Sequence, residues 1–163
     1  MFKGLVRWIS SRYAARAAKR GDLTTAERLW AAAIAYGDHS PETHRSLGEL
    51  YFRLGNYERA GALLSVAVSS TSPDASLIGK LARAYQESGE LDKAETHWLQ
   101  VISLDRDETE AHLNLGKIHI AAGRLDAAQA CLEAALEASP AEPQILCCLG
   151  EVKGMQGELD QAI

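Results

Sequence analysis

The sequence has little proline, with four in 163 residues, few aromatic residues at 6%, and only three cysteines. It contains no run of about 18 apolar residues, which excludes a membrane-spanning helix. Cys131, Cys147 and Cys148 are odd in number, no CxxC pair occurs, and adjacent cysteines bridge only with strain. Packed, reduced thiols are expected, without a disulfide or metal role. The sequence also lacks GxGxxG, GxxxxGK[ST], GxSxG and HExxH. Carboxylates are plentiful, but none is tied by spacing to a nucleophile or a metal set. No catalysis, cofactor or metal is therefore expected. Few aromatics beside abundant alanine favour helices over strands. A content of 47% apolar and 24% charged residues is that of a folded domain, and the length is about that of one.

Acids are missing from residues 1–21, which hold Lys3, Arg7, Arg12, Arg16, Lys19 and Arg20. The rest of the chain carries eleven bases and all 22 acids, a net −11 beneath the overall −5. An acidic body of this kind disfavours nucleic acid, whose binding depends on neutralising phosphates.

The dominant pattern is a period of 34. Gly21, Gly55, Gly89, Gly123 and Gly157 repeat at that spacing, as do Ala26, Ala60, Ala94, Ala128 and Ala162. Two residues after each glycine stands Leu23, Tyr57, Leu91, Leu125 or Leu159. Seven before it stands a small residue, Ala14, Gly48, Ala82, Gly116 or Gly150, preceded by a bulky one, Tyr13, Leu47, Leu81, Leu115 or Leu149. Four after the alanine come Trp30, Leu64, Trp98 and Leu132. Each period holds two apolar stretches at helical spacing, such as Leu47, Leu50, Tyr51 and Leu54, then Ala60, Leu63, Leu64 and Ala67. The glycine between them suits the left-handed turn that closes a helix. Small residues let paired backbones approach, and the bulky ones fill the gap toward the next pair. Pro41, Pro73, Pro140 and Pro143 all fall in links between periods. Ser40-Pro41-Glu42 reads as an N-cap, a first helical residue and an acid suited to the helix dipole. One helix pair cannot bury its apolar face alone, so the pairs must stack.

These residues resemble the tetratricopeptide repeat family, whose pattern runs W-x2-L-G-x2-Y, G, A-x3-F, A and P over 34 residues. Leu47-Gly48-x2-Tyr51, Gly55, Ala60, Leu64 and Ala67 follow it closely, and Leu115-Gly116, Gly123, Ala128, Leu132, Ala135 and Pro140 nearly as well. The first repeat departs most, with Ala17 in place of tyrosine. The resemblance implies an all-α, right-handed superhelical solenoid of antiparallel helix pairs. Its repeats are 7–40, 41–74, 75–108, 109–142 and a shortened 143–163, after a leader at 1–6.

The family's first helices line a concave groove. Carried over by repeat position, the resemblance gives Arg45, Glu49, Phe52 and Arg53, then Lys80, Arg83, Gln86 and Glu87, then Glu110, Asn114 and Lys117, then Cys147, Cys148 and Glu151. Arg45, Lys80, Arg83 and Lys117 form an expected basic strip for an acidic or C-terminal carboxylate peptide. The alternative for the same residues is a solvated face of mixed charge. The clamp that co-chaperones of this family use is not matched, since Arg45, Glu49, Lys80, Glu110 and Asn114 stand at its positions. His112 and His119 occupy the repeat's aromatic positions, as His44 does at the equivalent of His112, so packing rather than metal binding is expected of them.

The leader is amphipathic. Phe2, Leu5, Val6, Trp8 and Ile9 share one side, with Lys3 and Arg7 opposite. Three readings stand: a cap folded back onto the first repeat, contact of Phe2, Lys3, Leu5, Arg7 and Trp8 with an anionic membrane surface, or a targeting peptide. At the other end, Leu146, Leu149 and Val152 are expected to lack cover, so that the chain continues or this end is buried in a homo-oligomer. The functional expectation is a non-enzymatic scaffold or adaptor for protein partners, cytoplasmic or peripheral at a membrane. Its competitor is the substrate-recruiting repeat region of a larger enzyme, such as a glycosyltransferase or sulfotransferase.

Overall fold

The computed structural model describes residues 2–72 and 74–157, with side chains from Ile9 onward. The described residues form helices α1 (Phe2–Lys19), α2 (Leu23–Ala35), α3 (Pro41–Arg53), α4 (Tyr57–Ser70), α5 (Ala75–Glu87), α6 (Leu91–Leu104), α7 (Thr109–Ala121), α8 (Leu125–Ala138) and α9 (Pro143–Met155), and no strand. The fold is an all-α helical-repeat solenoid. The chain divides into two compact units, residues 1–89 with α1–α5 and residues 90–163 with α6–α9.

Local sequence sets the helix ends. Gly21, Gly55, Gly89, Gly123 and Gly157 all take positive φ, from +69° to +85°, at one turn per period. Space is not the reason, because a Cβ at any of them would meet nothing within 4 Å. What glycine supplies there is the left-handed backbone itself. Ser40 caps α3 by accepting from the Thr43 N–H, with Pro41 in the first turn, and Pro143 opens α9 in the same way. Asp22, Asn56 and Asp74 cap α2, α4 and α5 through their side-chain oxygens. Pro73 and Ala162 lie outside the described residues.

The small positions set how closely paired helices approach. A Cβ added at Gly48 would stand 2.9 Å from Leu64 Cγ, and one at Gly116 would stand 2.7 Å from Leu132 Cγ. The first repeat carries Ala14 with Trp30 where the second and fourth carry glycine with leucine. Trp98 is 1% exposed, and Leu64 and Leu132 are fully buried. A second alternation follows at the junction between successive pairs. Glu27 accepts from Tyr51 Oη at 2.9 Å. In the next repeat Gly61 leaves room for the Tyr85 ring, 3.2 Å from where its Cβ would be. Further along, Glu95 pairs with Arg124 beside His119.

Two packing expectations are corrected. Tyr13 is 58% exposed, although its counterparts Leu47, Leu81, Leu115 and Leu149 are buried. Leu47 sits on α3, against which α2 packs from the preceding repeat, whereas among the described residues no earlier helix packs on α1. Of the three residues expected to lack cover on α9, Leu149 and Val152 are buried and only Leu146 is exposed. Leu149 and Val152 join Leu113, Leu132 and Ala135 in one apolar cluster, so α7 and α8 cover them.

The backbone of residues 2–9 continues α1 rather than folding back on it. Phe2, Lys3, Leu5, Arg7 and Trp8, the membrane contacts of one of the three sequence readings, have side chains outside the described residues. No helix among the described residues is long and apolar enough to cross a membrane.

Candidate functional site

In the first unit, α1 and α3 are tied by a polar network centred on Asp38 in the α2–α3 link. Its Oδ2 accepts from Ser11 Oγ of α1 at 3.0 Å and from Thr43 Oγ1 of α3 at 2.8 Å. Its Oδ1 accepts from the Ser40 backbone N–H at 3.0 Å. Ser11 and Thr43 hydroxyls lie 2.9 Å apart. Burial pushes the Asp38 carboxyl up, but the hydrogen bonds from Ser40, Thr43 and Ser11 outweigh it and hold the group below its ordinary value. The group is thus an anion stabilised by neutral donors. Above this network opens a cavity of about 630 Å³, lined by Ala15 and Trp30 as well as by the polar residues and by Arg12, Glu42 and Ser46 at its rim.

The next stretch of the same unit is an ion-pair chain. Glu49 Oε1 accepts from Arg45 Nε at 3.2 Å and from Lys80 Nζ at 2.6 Å, and Arg45 Nη1 also reaches Asp74 Oδ2 at 3.4 Å. Burial raises the Glu49 carboxyl, and the bonds and charges of Lys80 and Arg45 more than reverse that, leaving it below its ordinary value. Arg45 and Lys80, read from sequence as a basic strip, therefore share one carboxylate, with a second on Arg45. Arg83 is exposed one turn further along α5. Phe52 is half-buried, its ring edge-on to Tyr57 with centroids 5.5 Å apart, so much of its surface is committed to the hairpin.

In the second unit, Asn114 departs from the expected groove position. It is 9% exposed, and its Nδ2 donates to the Glu110 carbonyl at 2.9 Å, one turn back along α7. Little of its side chain is open to solvent. Lys117 is half-buried and donates to Gln144 Oε1 at 3.3 Å. Cys147 is exposed, Cys131 and Cys148 are more deeply placed, and all three thiols are free. Burial pushes the thiols of Cys131 and Cys148 up, which keeps them protonated and poorly nucleophilic. His44 is buried with Nδ1 3.0 Å from the Ser40 carbonyl, His112 is half-buried with Nε2 2.9 Å from the Arg106 carbonyl, and His119 is buried. Among the described residues, no three His, Cys, Asp or Glu side chains gather where they could hold a metal ion.

Arg45 and Lys80 are among the residues expected from the sequence, and the Asp38 network is not. Asp38 and Ser40 read as turn and cap residues, and the repeat rule that places Arg45 in the groove also places Ser11 there.

The helix pairs, their glycine turns and their small-residue contacts define a helical-repeat binding module. The tetratricopeptide repeat model matches residues 14–76, 80–143 and 119–163, and the chain belongs to that family. No curated protein matches it by sequence. Among solved structures it is similar to the MamA protein, with 21% identity over 98% of this chain and 87% of that one and a TM-score of 0.87. MamA from Desulfovibrio magneticus RS-1 gives 16% identity, 96% and 89% coverage and a TM-score of 0.83. YrrB, described as a TPR protein with an unusual peptide-binding site, gives 17%, 94%, 79% and 0.82. At these identities the likeness is one of fold.

Proposed function

We propose that this chain is a non-enzymatic scaffold that holds a peptide or an extended protein segment across α1, α3 and α5 of its first unit. The observation that carries the reading is the cavity of about 630 Å³ between α1 and α3, continuous in sequence position with the half-exposed Arg45, Glu49 and Lys80. Pre-formed concavities with a few placed polar groups are where ligands bind. The ion-pair chain also suits recognition, because its members are already ordered and lose little side-chain entropy when a partner arrives. Lys80 and Arg83 on α5 favour an acidic stretch of partner there. YrrB, a relative in fold, is a precedent for peptide binding on this architecture.

The test is selection of random dodecamer peptides by display on the immobilised full chain, followed by affinity measurement. Charge reversal by Arg83→Glu together with Lys80→Glu is expected to weaken the selected peptides by about tenfold or more. Affinities unchanged by that double reversal would overturn the reading.

A further inference from the structure

We infer that the cavity between α1 and α3 is a subsite for an ammonium or guanidinium group on an aliphatic stem, that is, a lysine or arginine side chain of the bound segment. The inference rests on the scaffold reading above and specifies the partner's chemistry at one end of the face.

Three features of the cavity carry it. Asp38 is held ionised at its wall by Ser11, Ser40 and Thr43, all neutral donors. Its donors are the Ser40 backbone N–H and the hydroxyls of Thr43, Ser40 and Ser11; none of them carries a charge, so they solvate the carboxylate without cancelling its negative charge. Glu42, exposed at the first turn of α3, adds a second carboxylate to the rim. Ala15 and Trp30 supply an apolar wall against which a polymethylene stem can lie while its charged head reaches Asp38. Tryptophan is also the best aromatic partner for a cation. Arg12 lines the same rim and already has an interaction within the protein. Asp38 and Glu42 outnumber it. An acidic side chain entering here would meet both carboxylates, and an uncharged one would leave the charge of Asp38 unanswered.

The test uses the ¹⁵N-labelled full chain and three pentapeptide probes: acetyl-Ala-Ala-Lys-Ala-Ala-amide and the same peptide with norleucine or glutamate in place of lysine. The lysine probe is expected to shift the Trp30 indole N–H and the Ser40 and Thr43 amides, and to bind about tenfold more tightly than the norleucine probe. Asp38→Asn should erase that difference. Because Asp38 also ties α1 to α3, a second variant, Ala15→Lys, leaves the network intact and places a lysine of the protein's own at the cavity wall. It too should abolish the preference. Equal shifts from all three probes, a stronger response to glutamate, no response to any, or a lysine preference that survives Ala15→Lys would overturn the subsite. Display-selected peptides separate the two claims. If they shift Lys80 and Arg83 while the lysine probe shows no preference, the subsite falls and the scaffold stands. If they shift neither α3 nor α5, the scaffold reading itself falls.

Discussion

Arg124 and Glu95 are joined by two N–H···O bonds, 2.6 and 3.2 Å long, from the residue that precedes α8 to the first turns of α6. The bond from Arg124, opposed by some desolvation and helped by the charges of Arg124 and His119, holds the Glu95 carboxyl below its ordinary value. His119 stands buried beside this pair. Burial is the main force lowering its own pKa, with Arg124 adding to it and Glu95 opposing. Its Nδ1 is buried without a hydrogen-bond partner. At the equivalent junction of the first unit, tyrosine replaces histidine and Tyr51 bonds Glu27 directly.

A pH dependence follows. A histidine whose folded pKa is depressed binds more protons unfolded than folded, so its contribution is present above about pH 6.5 and is lost as pH falls below that value. Glu95, also depressed, contributes stability that is present above the unfolded carboxylate value and lost at lower pH still. Melting temperature is expected to fall between pH 7 and pH 5. The variant His119→Tyr, which installs the residue of the Tyr51 position, should flatten that fall and retain an acid limb at lower pH from the Glu95–Arg124 pair. A wild-type curve flat from pH 7 to 5 would contradict the account of His119.

Two glycines of the fourth repeat separate crowding from backbone conformation. Gly116→Ala drives a methyl group into Leu132 and is expected to cost about 1–3 kcal/mol. Gly123→Ala meets no atom but must hold φ near +69°, at a cost of about 1 kcal/mol. Urea unfolding measures both. Adding Leu132→Ala should recover part of the first loss through non-additivity and none of the second.

Glu49 controls the charge of the first-helix face. Its pairs with Arg45 and Lys80 are about 40% exposed, so Glu49→Gln should change stability by less than about 1 kcal/mol. The same change removes the carboxylate from Lys80 and leaves Arg45 with Asp74 as its anionic partner, which makes this face more positive toward a partner. Display-selected peptides rich in acid are expected to bind more tightly to the variant, by a factor that shrinks between 50 and 300 mM salt. Isothermal titration at the two salt levels checks both parts.

On α9, Leu149→Ala should cost about 2–5 kcal/mol, because the side chain packs with Leu113 and Leu132. Leu146→Ala, at a residue 51% exposed, should stay within about 0.5 kcal/mol. Similar losses at both positions would return the helix to the orientation that the sequence suggested.

The period of 34 made the hairpins, the left-handed turns and the small-residue contacts legible, because each depends on residues near one another in sequence. Gly21 to Gly157 and Ala26 to Ala128 behave alike for that reason. What periodicity hid were properties decided by a neighbour in space. Tyr13 holds a core position in the pattern and is exposed, since among the described residues no earlier helix packs on α1 as α2 packs on α3. Asn114 holds a groove position in the pattern and is buried, with its amide bonded back to its own helix. Arg45 and Lys80 look like free cations along the chain, and only the meeting of α3 with α5 shows Glu49 between them. The Asp38 network joins residues 27 and 5 apart, and its parts resemble ordinary cap and turn residues until α1 is laid beside α3.

The most direct test of the central claim is amide-shift mapping of a display-selected peptide on the ¹⁵N-labelled full chain. The account predicts shifts concentrated on α1, α3 and α5, at Ser11, Thr43, Arg45, Lys80 and Arg83. Shifts confined to the second helices α2 and α4, whose exposed residues include Ala31 and Val66, would contradict it.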